Sequence, residues 1–181
     1  MLKKTYLIVM LTSLFVLSCI FGATAIAGDK YKITIVVHGG ITDPFWKIVE
    51  KGANDIAAQY PDLEISYRGP ELYSFEGFMT FLKDAVQEKP DALVCTLTFP
   101  SHMDEILGPA IAEDLPVIGI NAADMRPEKD QIPVLTYIGE DSYLIGVTAA
   151  EEALKRFTPK RAMFANHQFG SGNIDARGQG W

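Results

Sequence analysis

Residues 32–46 read KITIVVHGGITDPFW, and this stretch decides the fold. Its first part, 32–37, is rich in β-branched residues, which is typical of a buried β-strand. A glycine pair ends the strand. Asp43 and Pro44 then begin a helix, because aspartate is a favoured N-cap residue and proline fits the first helical turn. The stretch therefore predicts a strand, a loop and a helix, the first unit of a parallel α/β sheet.

The same alternation of strands and helices continues along the chain. Further strands are predicted at residues 63–67, 91–97, 116–120, 134–138 and 161–166. Helices are predicted at residues 44–60, 75–86, 103–111, 143–157 and 171–181, where apolar residues recur three and four positions apart. Pro109 predicts a kink or a break near Gly108. Right-handed crossovers then give an α/β fold with a three-layer, doubly wound parallel sheet. Since the last strand and helix cannot close a domain alone, we expect one full lobe and a second lobe that is largely missing.

The first residues have the order of a secretory signal peptide. Lys3 and Lys4 precede an uncharged apolar run at 6–22, and Ala25 and Ala27 occupy the small-residue positions before a cleavage site. A retained membrane anchor is the alternative, but the apolar run is short for a span of about 20 residues. We therefore expect residues 1–27 to be removed on export to the periplasm.

The two cysteines have different interpretations, and neither predicts a disulfide within the chain. Cys19 lies in a segment that loosely resembles a lipoprotein box, yet apolar residues follow it where a lipoprotein usually has a polar tether. Anchoring through Cys19 is thus the less favoured alternative to a free periplasmic protein. Cys95 is the only cysteine left after cleavage, and its apolar neighbours predict a buried thiol.

Composition and charge are those of an ordinary globular protein, and they exclude some partners. The chain is 48% hydrophobic and 22% charged, with a formal net charge of −7 that becomes −9 without the two signal-peptide lysines. An acidic chain without a cluster of lysine and arginine is not typical of proteins that bind nucleic acid or anionic membranes. We expect a monomer that binds a small molecule.

The loops after the strands form the candidate site, because ligands of open α/β sheets bind at the carboxyl ends of the strands. These loops carry amides, hydroxyls and carboxylates, and Phe45 and Trp46 lie beside the first of them. Groups that donate and accept hydrogen bonds, next to flat rings, suit a polyhydroxyl ligand. Other roles stay open: one of the two aromatic residues in the core, Asp43 as a helix cap only, and His38 as a structural loop residue.

Motifs for catalysis or for a metal are absent from the sequence. There is no phosphate-binding GxxxxGK[ST] or GxGxxG loop, no GxSxG nucleophile elbow and no HExxH zinc motif. His38, His102 and His167 lack the spacing of metal ligands. We therefore expect no enzyme activity, no cofactor and no metal.

Three motifs, in their order and spacing, carry a resemblance to a known family. They are DPFW at 43–46, PVIGIN at 116–121 and YIGED at 137–141. With them, the chain resembles the type I periplasmic sugar-binding proteins, which include ribose- and galactose-binding proteins and the effector domains of lac-repressor-type regulators. The resemblance covers residues 31–181, and the segment 175–181 is similar to the start of the family's second lobe.

The resemblance implies roles for five residues. Asp43 stands where the family hydrogen-bonds the sugar, and Phe45 and Trp46 stand where aromatic rings stack on it. Asn121 occupies the position of an acidic hydrogen-bonding residue, and Arg177 matches a ligand-contacting arginine of the second lobe. Ribose binders usually carry Asp-Arg after the fourth strand, so the Asn-Ala found here argues against ribose.

The resemblance also implies a domain organisation and a function. Residues 28–140 would form the N-terminal ligand-binding lobe, and residues 141–181 the hinge crossing and the start of a truncated second lobe. Closure of the two lobes would capture a small sugar or polyol, which would then be delivered to an ABC permease in the inner membrane. The alternative is a periplasmic sensor of the same fold that signals to a chemoreceptor or a sensor kinase.

Overall fold

The computed structural model describes residues 29–181, so the predicted signal peptide and Cys19 lie outside the described residues. This part contains the strands β1 (Tyr31–Val36), β2 (Leu63–Arg68), β3 (Ala92–Thr96), β4 (Val117–Asn121) and β5 (Thr136–Gly139). Its helices are α1 (Pro44–Gln59), α2 (Phe75–Gln87), α3 (Pro100–Ala112), α4 (Ser142–Arg156) and α5 (Gly172–Gly180). Glu128–Asp130 form a short 3-10 helix between β4 and β5. Within residues 29–181, no helix is long and apolar enough to cross a membrane.

The strands form one parallel sheet in the order β2-β1-β3-β4-β5. β1 lies between β2 and β3, and its last residue, Val36, pairs with Arg68 on one side and with Cys95 on the other. The chain therefore winds away from β1 in both directions, which makes the carboxyl end of β1 a switch point of the sheet. The predicted doubly wound parallel sheet is confirmed.

Helices cover the two faces of the sheet. On one face, α2 packs over β1 and β3 and against α3. Strand and helix side chains share the core there, namely Val36, Phe78, Leu82, Leu93, Cys95, Met103, Leu107 and Val117. On the other face, α1 packs against β2, and the Tyr67 hydroxyl donates a hydrogen bond to the Trp46 carbonyl at 3.1 Å. Helix, sheet and helix give the three layers that the sequence predicted.

The expected disruption of α3 near Gly108 is not a break, because the helix continues from Pro100 to Ala112. Pro109 removes one backbone hydrogen bond from the helix. Leu107 and Ala110, which lie two residues before and one residue after the proline, are buried on the core. Their packing holds the last turn in place, and the helix continues to Ala112.

The sixth predicted strand, at residues 161–166, is wrong. These residues are exposed and form no strand. A strand needs a neighbour for its backbone hydrogen bonds, and none of the strands within residues 29–181 pairs with this segment. The helix that was predicted to follow it is confirmed as α5, which begins after Ser171.

α4 packs mainly against α5, and glycines bring the two helices close together. A Cβ built on Gly146 would overlap the carbonyl oxygen of Arg177, and it would lie only 3.0 Å from the Gly180 Cα. The two backbones therefore approach directly, which only glycine allows. Asp141 begins α4 by accepting a hydrogen bond from the Leu144 N–H at 3.0 Å. The first helix of the pair thus begins three residues after β5 ends.

Candidate ligand-binding site

The loop between β1 and α1 is held in place by the loop that follows β2. The Ile41 N–H donates a hydrogen bond to the Pro70 carbonyl at 2.9 Å, and the Thr42 hydroxyl donates one to the Glu71 carbonyl, also at 2.9 Å. Gly40 lies so close that a Cβ there would meet the Glu71 carbonyl oxygen at 3.0 Å. These contacts give the carboxyl end of β1 a fixed shape, as a preformed binding site needs.

A cavity of about 330 Å³ opens at this end of the sheet. Its walls come from the loop after β1, the first turn of α1, the loop after β2 and the segment before α5. The lining residues are His38, Gly39, Gly40, Asp43, Trp46, Tyr73, His167 and Gln168. None of them is a lysine or an arginine, so the cavity carries no permanent positive charge.

A larger groove of about 580 Å³ lies elsewhere, and Val86, Pro109 and Asp114 are among its lining residues. It also contacts Asp91 and Pro116, which directly precede β3 and β4. The groove is therefore at the amino ends of the strands. Because ligands of doubly wound sheets bind at the carboxyl ends, the smaller cavity is the candidate site despite its size.

Trp46 forms one wall of the cavity. It is only 7% exposed, and a Cβ built on Gly39 would overlap its indole nitrogen. Phe45 contacts it edge to face, with ring centroids 5.0 Å apart, but Phe45 is 52% exposed and does not line the cavity. The sequence left open which of the two rings is buried. The structure buries Trp46 and still leaves it in contact with the cavity.

His38 lies at the base of the same wall and is only 8% exposed. Its backbone N–H donates a hydrogen bond to the Thr96 hydroxyl at 3.2 Å. Its ring meets the edges of Trp46 and Phe78, with centroid distances of 5.2 and 6.3 Å. Burial lowers the pKa of this imidazole to about 4, so it is neutral at physiological pH. Its Nδ1 atom has no hydrogen-bond partner within residues 29–181.

Asp43 has the cap role that the sequence allowed, and it also lines the cavity. Its Oδ1 atom accepts a hydrogen bond from the Phe45 N–H at 2.8 Å, which satisfies the amino end of α1. The side chain is exposed, and no described residue donates to its Oδ2 atom. One oxygen thus holds the helix while the other is available to a ligand.

Asn121 and Arg177, the other two predicted site residues, do not line this cavity. Asn121 ends β4 with a φ of 60°, in the left-handed region, and its carbonyl accepts a hydrogen bond from the Tyr137 hydroxyl at 2.7 Å. Arg177 forms an ion pair with Glu140, directly after β5, and its buried Nε atom lacks a partner among the described residues. Both residues therefore lie near the join between the sheet and the α4–α5 pair.

Tyr73 and Gln168 line the cavity although neither was among the predicted site residues, and Gln168 was noted only as part of a polar loop. The Gln168 backbone N–H donates to the Asn166 side-chain oxygen at 3.0 Å, and the Asn166 amide in turn donates to Asp175 on α5 at 2.7 Å. The Gln168 Nε2 atom is buried without a partner in the part of the chain described. The only signal in the sequence was its position in a polar loop before a helix, which many residues share.

His38 and His167 both line the cavity, but they do not form a metal site. Within residues 29–181, no group of three or more histidine, cysteine, aspartate or glutamate side chains is placed to hold a metal ion. What the cavity offers is a set of hydrogen-bonding side chains without lysine or arginine, beside an aromatic wall. This combination suits an uncharged ligand with several hydroxyl groups.

The fold and the cavity at its switch point define the class as a binding protein of the doubly wound α/β type. The family profile of the Periplasmic binding protein domain matches residues 33–181, and the chain belongs to this family. Membership implies a location outside the cytoplasm. It also confirms the resemblance that the motifs at 43–46, 116–121 and 137–141 indicated.

Solved structures of sugar-binding proteins share the fold. A periplasmic sugar-binding protein of an ABC sugar transporter from Legionella pneumophila is 25% identical, with a TM-score of 0.73, and 83% of this chain covers 55% of that one. A glucose-galactose binding protein, GanP, from Geobacillus stearothermophilus is 21% identical, with a TM-score of 0.71, and 84% of this chain covers 52% of that one.

A third structure is an ABC transporter solute-binding protein from Agrobacterium vitis, bound with α-D-tagatopyranose. It is 24% identical, with a TM-score of 0.70, and 83% of this chain covers 52% of it. The chain therefore spans about half the length of the solved structures it matches. No curated protein matches the chain.

Proposed function

We propose that this protein captures a small sugar or polyol in the periplasm and delivers it to an ABC importer. The observation that carries the proposal is the 330 Å³ cavity at the carboxyl end of β1, with the Trp46 indole as one wall. Its polar side chains include no lysine or arginine. A ring of carbon atoms can lie against the indole while its hydroxyls meet His38, Asp43 and Gln168.

The charge of the cavity narrows the class of ligand. Proteins that recognise phosphate or carboxylate groups commonly use arginine or lysine for them. Neither residue lines the cavity, whereas Asp43 exposes a carboxylate oxygen there. An anionic sugar phosphate would be repelled, and a neutral sugar would not.

The proposed function implies three segments of the chain. Residues 1–27 would be the export signal, residues 28–140 the ligand-binding lobe, and residues 141–181 the crossing into a second lobe. The end of β5 at Gly139 and the beginning of α4 after Asp141 support the boundary at 140. Packing of α4 mainly on α5 supports a crossing out of the sheet at this point.

The solved structures suggest which ligands to test first. One is described as a glucose-galactose binding protein, one is bound with α-D-tagatopyranose, and one from Acidothermus cellulolyticus is in complex with myo-inositol. A panel of D-glucose, D-galactose, D-tagatose, D-arabinose and myo-inositol covers pentoses, hexoses and a cyclic polyol.

The experiment is a thermal-shift screen of the complete gene product against this panel, followed by calorimetry on each hit. Ligand binding to the native state raises the melting temperature by mass action. We expect one ligand to raise it clearly, and the 6-phosphates of glucose and galactose to leave it unchanged. No shift with any neutral sugar or polyol would contradict the proposal, and tighter binding of the phosphates would contradict the charge argument.

A further inference from the structure

We propose that His38 and Gln168, which both line the cavity, bind one and the same hydroxyl group of the ligand. The inference rests on the proposed function and adds the pair of residues that recognises a particular hydroxyl. His38 belongs to the loop after β1, whereas Gln168 belongs to the segment that precedes α5.

Two buried polar atoms beside the cavity lack a hydrogen-bond partner among the described residues. His38 Nδ1 and Gln168 Nε2 are both buried and without a hydrogen-bond partner within residues 29–181. Both residues line the same cavity. Buried polar atoms are nearly always paired in native proteins, since leaving one unpaired costs about 1–3 kcal/mol. Two such atoms around one cavity indicate a partner that arrives from outside the chain.

The two atoms have complementary hydrogen-bonding chemistry. Burial keeps the His38 imidazole neutral, with a pKa of about 4, so one of its ring nitrogens accepts a hydrogen bond. When the proton is on Nε2, Nδ1 is the acceptor. The side-chain amide nitrogen of Gln168 can only donate. A hydroxyl group satisfies both, because it donates its proton to Nδ1 and accepts a hydrogen bond from the Gln168 amide.

His38 and Gln168 are held in place by different kinds of contact. His38 is fixed by its bond to Thr96 and by the rings of Trp46 and Phe78. Gln168 lies in a stretch without regular secondary structure, and Asn166 and Asp175 tie that stretch to α5. A hydroxyl that bridges the two would fasten this segment to the loop after β1. Recognition of the hydroxyl would then also hold the cavity closed.

The test is isothermal titration calorimetry of the complete gene product with the panel of D-glucose, D-galactose, D-tagatose, D-arabinose and myo-inositol. The variants are His38→Leu, Gln168→Leu and the double variant, each checked for folding by circular dichroism. His38→Asn keeps a polar atom near the position of Nδ1. The matched controls are His102→Leu and Gln59→Leu, which change an exposed histidine and an exposed glutamine outside the cavity.

For the panel member that binds tightest, we expect each single variant to lose about 10-fold or more in affinity, because the hydroxyl keeps only one of its two partners. His38→Asn should recover part of the loss, and both controls should bind as the wild type does. The double variant should lose much less than the product of the single losses, since the two residues share one hydroxyl. One monodeoxy analogue should weaken wild-type binding, and it should bind the double variant no worse than the parent sugar does.

Other outcomes overturn the proposal in ways that can be told apart. Binding of a sugar with unchanged affinity in folded His38→Leu and Gln168→Leu overturns the pair and leaves the proposed function standing. Single losses that multiply in the double variant show that the residues contact different groups. Absence of binding by the whole panel overturns the proposed function and the pair together. If His38→Leu does not fold, the affinities of Gln168→Leu and of the deoxy analogues test the proposal. Gln168 lies outside the core, so its substitution should leave the fold intact.

Discussion

Gly39 and Trp46 are in direct contact: the indole nitrogen occupies the space where a side chain on Gly39 would begin. Gly39 lies in the loop after β1 and Trp46 in the first turn of α1, so the contact closes this loop. It turns the indole into a wall of the cavity and buries it at the same time. A glycine at position 39 is therefore a requirement of the site and not only of the turn.

The first prediction concerns this contact. Gly39→Ala should displace the indole and lower the free energy of unfolding by about 1–3 kcal/mol, because an added methyl group in a packed region forces its neighbours to shift. It should weaken sugar binding as well. Urea denaturation and calorimetry measure the two effects. Gly52→Ala is the matched control, since a Cβ there meets nothing within 4 Å, and in a helix this change should stabilise by about 0.5–1 kcal/mol. Equal effects of the two substitutions would show that the contact with Trp46 does not matter.

A second prediction separates the two adjacent aromatic residues. Trp46→Ala should weaken binding of the sugar by on the order of 1–3 kcal/mol, since the wall of the cavity is lost. It should also destabilise the fold by about 3–5 kcal/mol, as removal of a large buried ring does. Phe45→Ala should have a smaller effect on both sugar affinity and the free energy of unfolding, because Phe45 is half exposed and does not line the cavity. A larger loss of affinity from Phe45→Ala would place the ligand on the outer ring instead.

A third prediction uses the buried imidazole. The pKa of His38 falls from 6.5 to about 4 on folding, so between these values the unfolded chain holds a proton that the folded chain does not. The free energy of unfolding should therefore decrease as the pH falls from 6.5 to 4, by up to about 3 kcal/mol from this residue.

His38→Asn should remove that part of the pH dependence. Asp43, Tyr73 and His167 line the same cavity and are present in both proteins, so the comparison isolates the change at position 38. Urea denaturation at pH 7, 5.5 and 4.5 measures it. If the free energy of unfolding changed equally with pH in the two proteins, His38 would not be buried in its neutral form.

The fourth prediction concerns Arg126, which joins the loop after β4 to α3. Its guanidinium contacts Asp124 at 2.7 Å and Asp104 at 2.6 Å. Burial by itself would raise the pKa of Asp124, but hydrogen bonds from Arg126 and from the Ile132 N–H outweigh burial and lower it. Ionised Asp124 thus stabilises the fold at pH values above the carboxyl pKa of the unfolded chain. This stabilisation is lost as the pH falls through the lower pKa that Asp124 has in the folded protein.

Asp124→Asn should accordingly lower the free energy of unfolding by about 2 kcal/mol at pH 7, with Arg126 still paired to Asp104. The difference from the wild type should shrink at pH 3, below the ordinary aspartate pKa of 3.8, because the unfolded wild-type chain then binds a proton at this residue. Glu152→Gln is the control, because it breaks an exposed ion pair with Lys155 that contributes little. A constant difference across the pH range would contradict the assignment of the effect to the carboxylate.

The fifth prediction concerns Cys95, which is buried in the core and is the free thiol of the described residues. Burial raises its pKa to about 12, so it is neutral and inaccessible in the folded protein. A thiol reagent should therefore react with it only after urea unfolds the chain, at the rate of a free cysteine. A Cys95→Ser variant provides the blank. Rapid reaction in native buffer would show that the sheet opens at β3.

The order of elements could be predicted from the sequence because it depends on neighbours in the chain. Periodicity located α1 and β3, and Asp43 with Pro44 marked the helix start to the residue. The wrong strand at residues 161–166 depends on distant parts of the chain, since an apolar stretch becomes a strand only where another strand can pair with it. Pro109 shows the same limit, because packing on the core outweighed a local signal for a break.

The sequence by itself determined the parallel α/β fold and the end of the sheet where the candidate cavity opens, since both follow from local patterns and the rule for open sheets. The resemblance of the motifs at 43–46, 116–121 and 137–141 indicated the family. Only the tertiary structure decided that Trp46 and not Phe45 forms the wall, and that His38 and Gln168 face one cavity. The reason is physical. Burial, and with it the pKa of an imidazole or the lack of a hydrogen-bond partner, depends on every segment that surrounds a residue, and the segments around His38 come from distant parts of the chain.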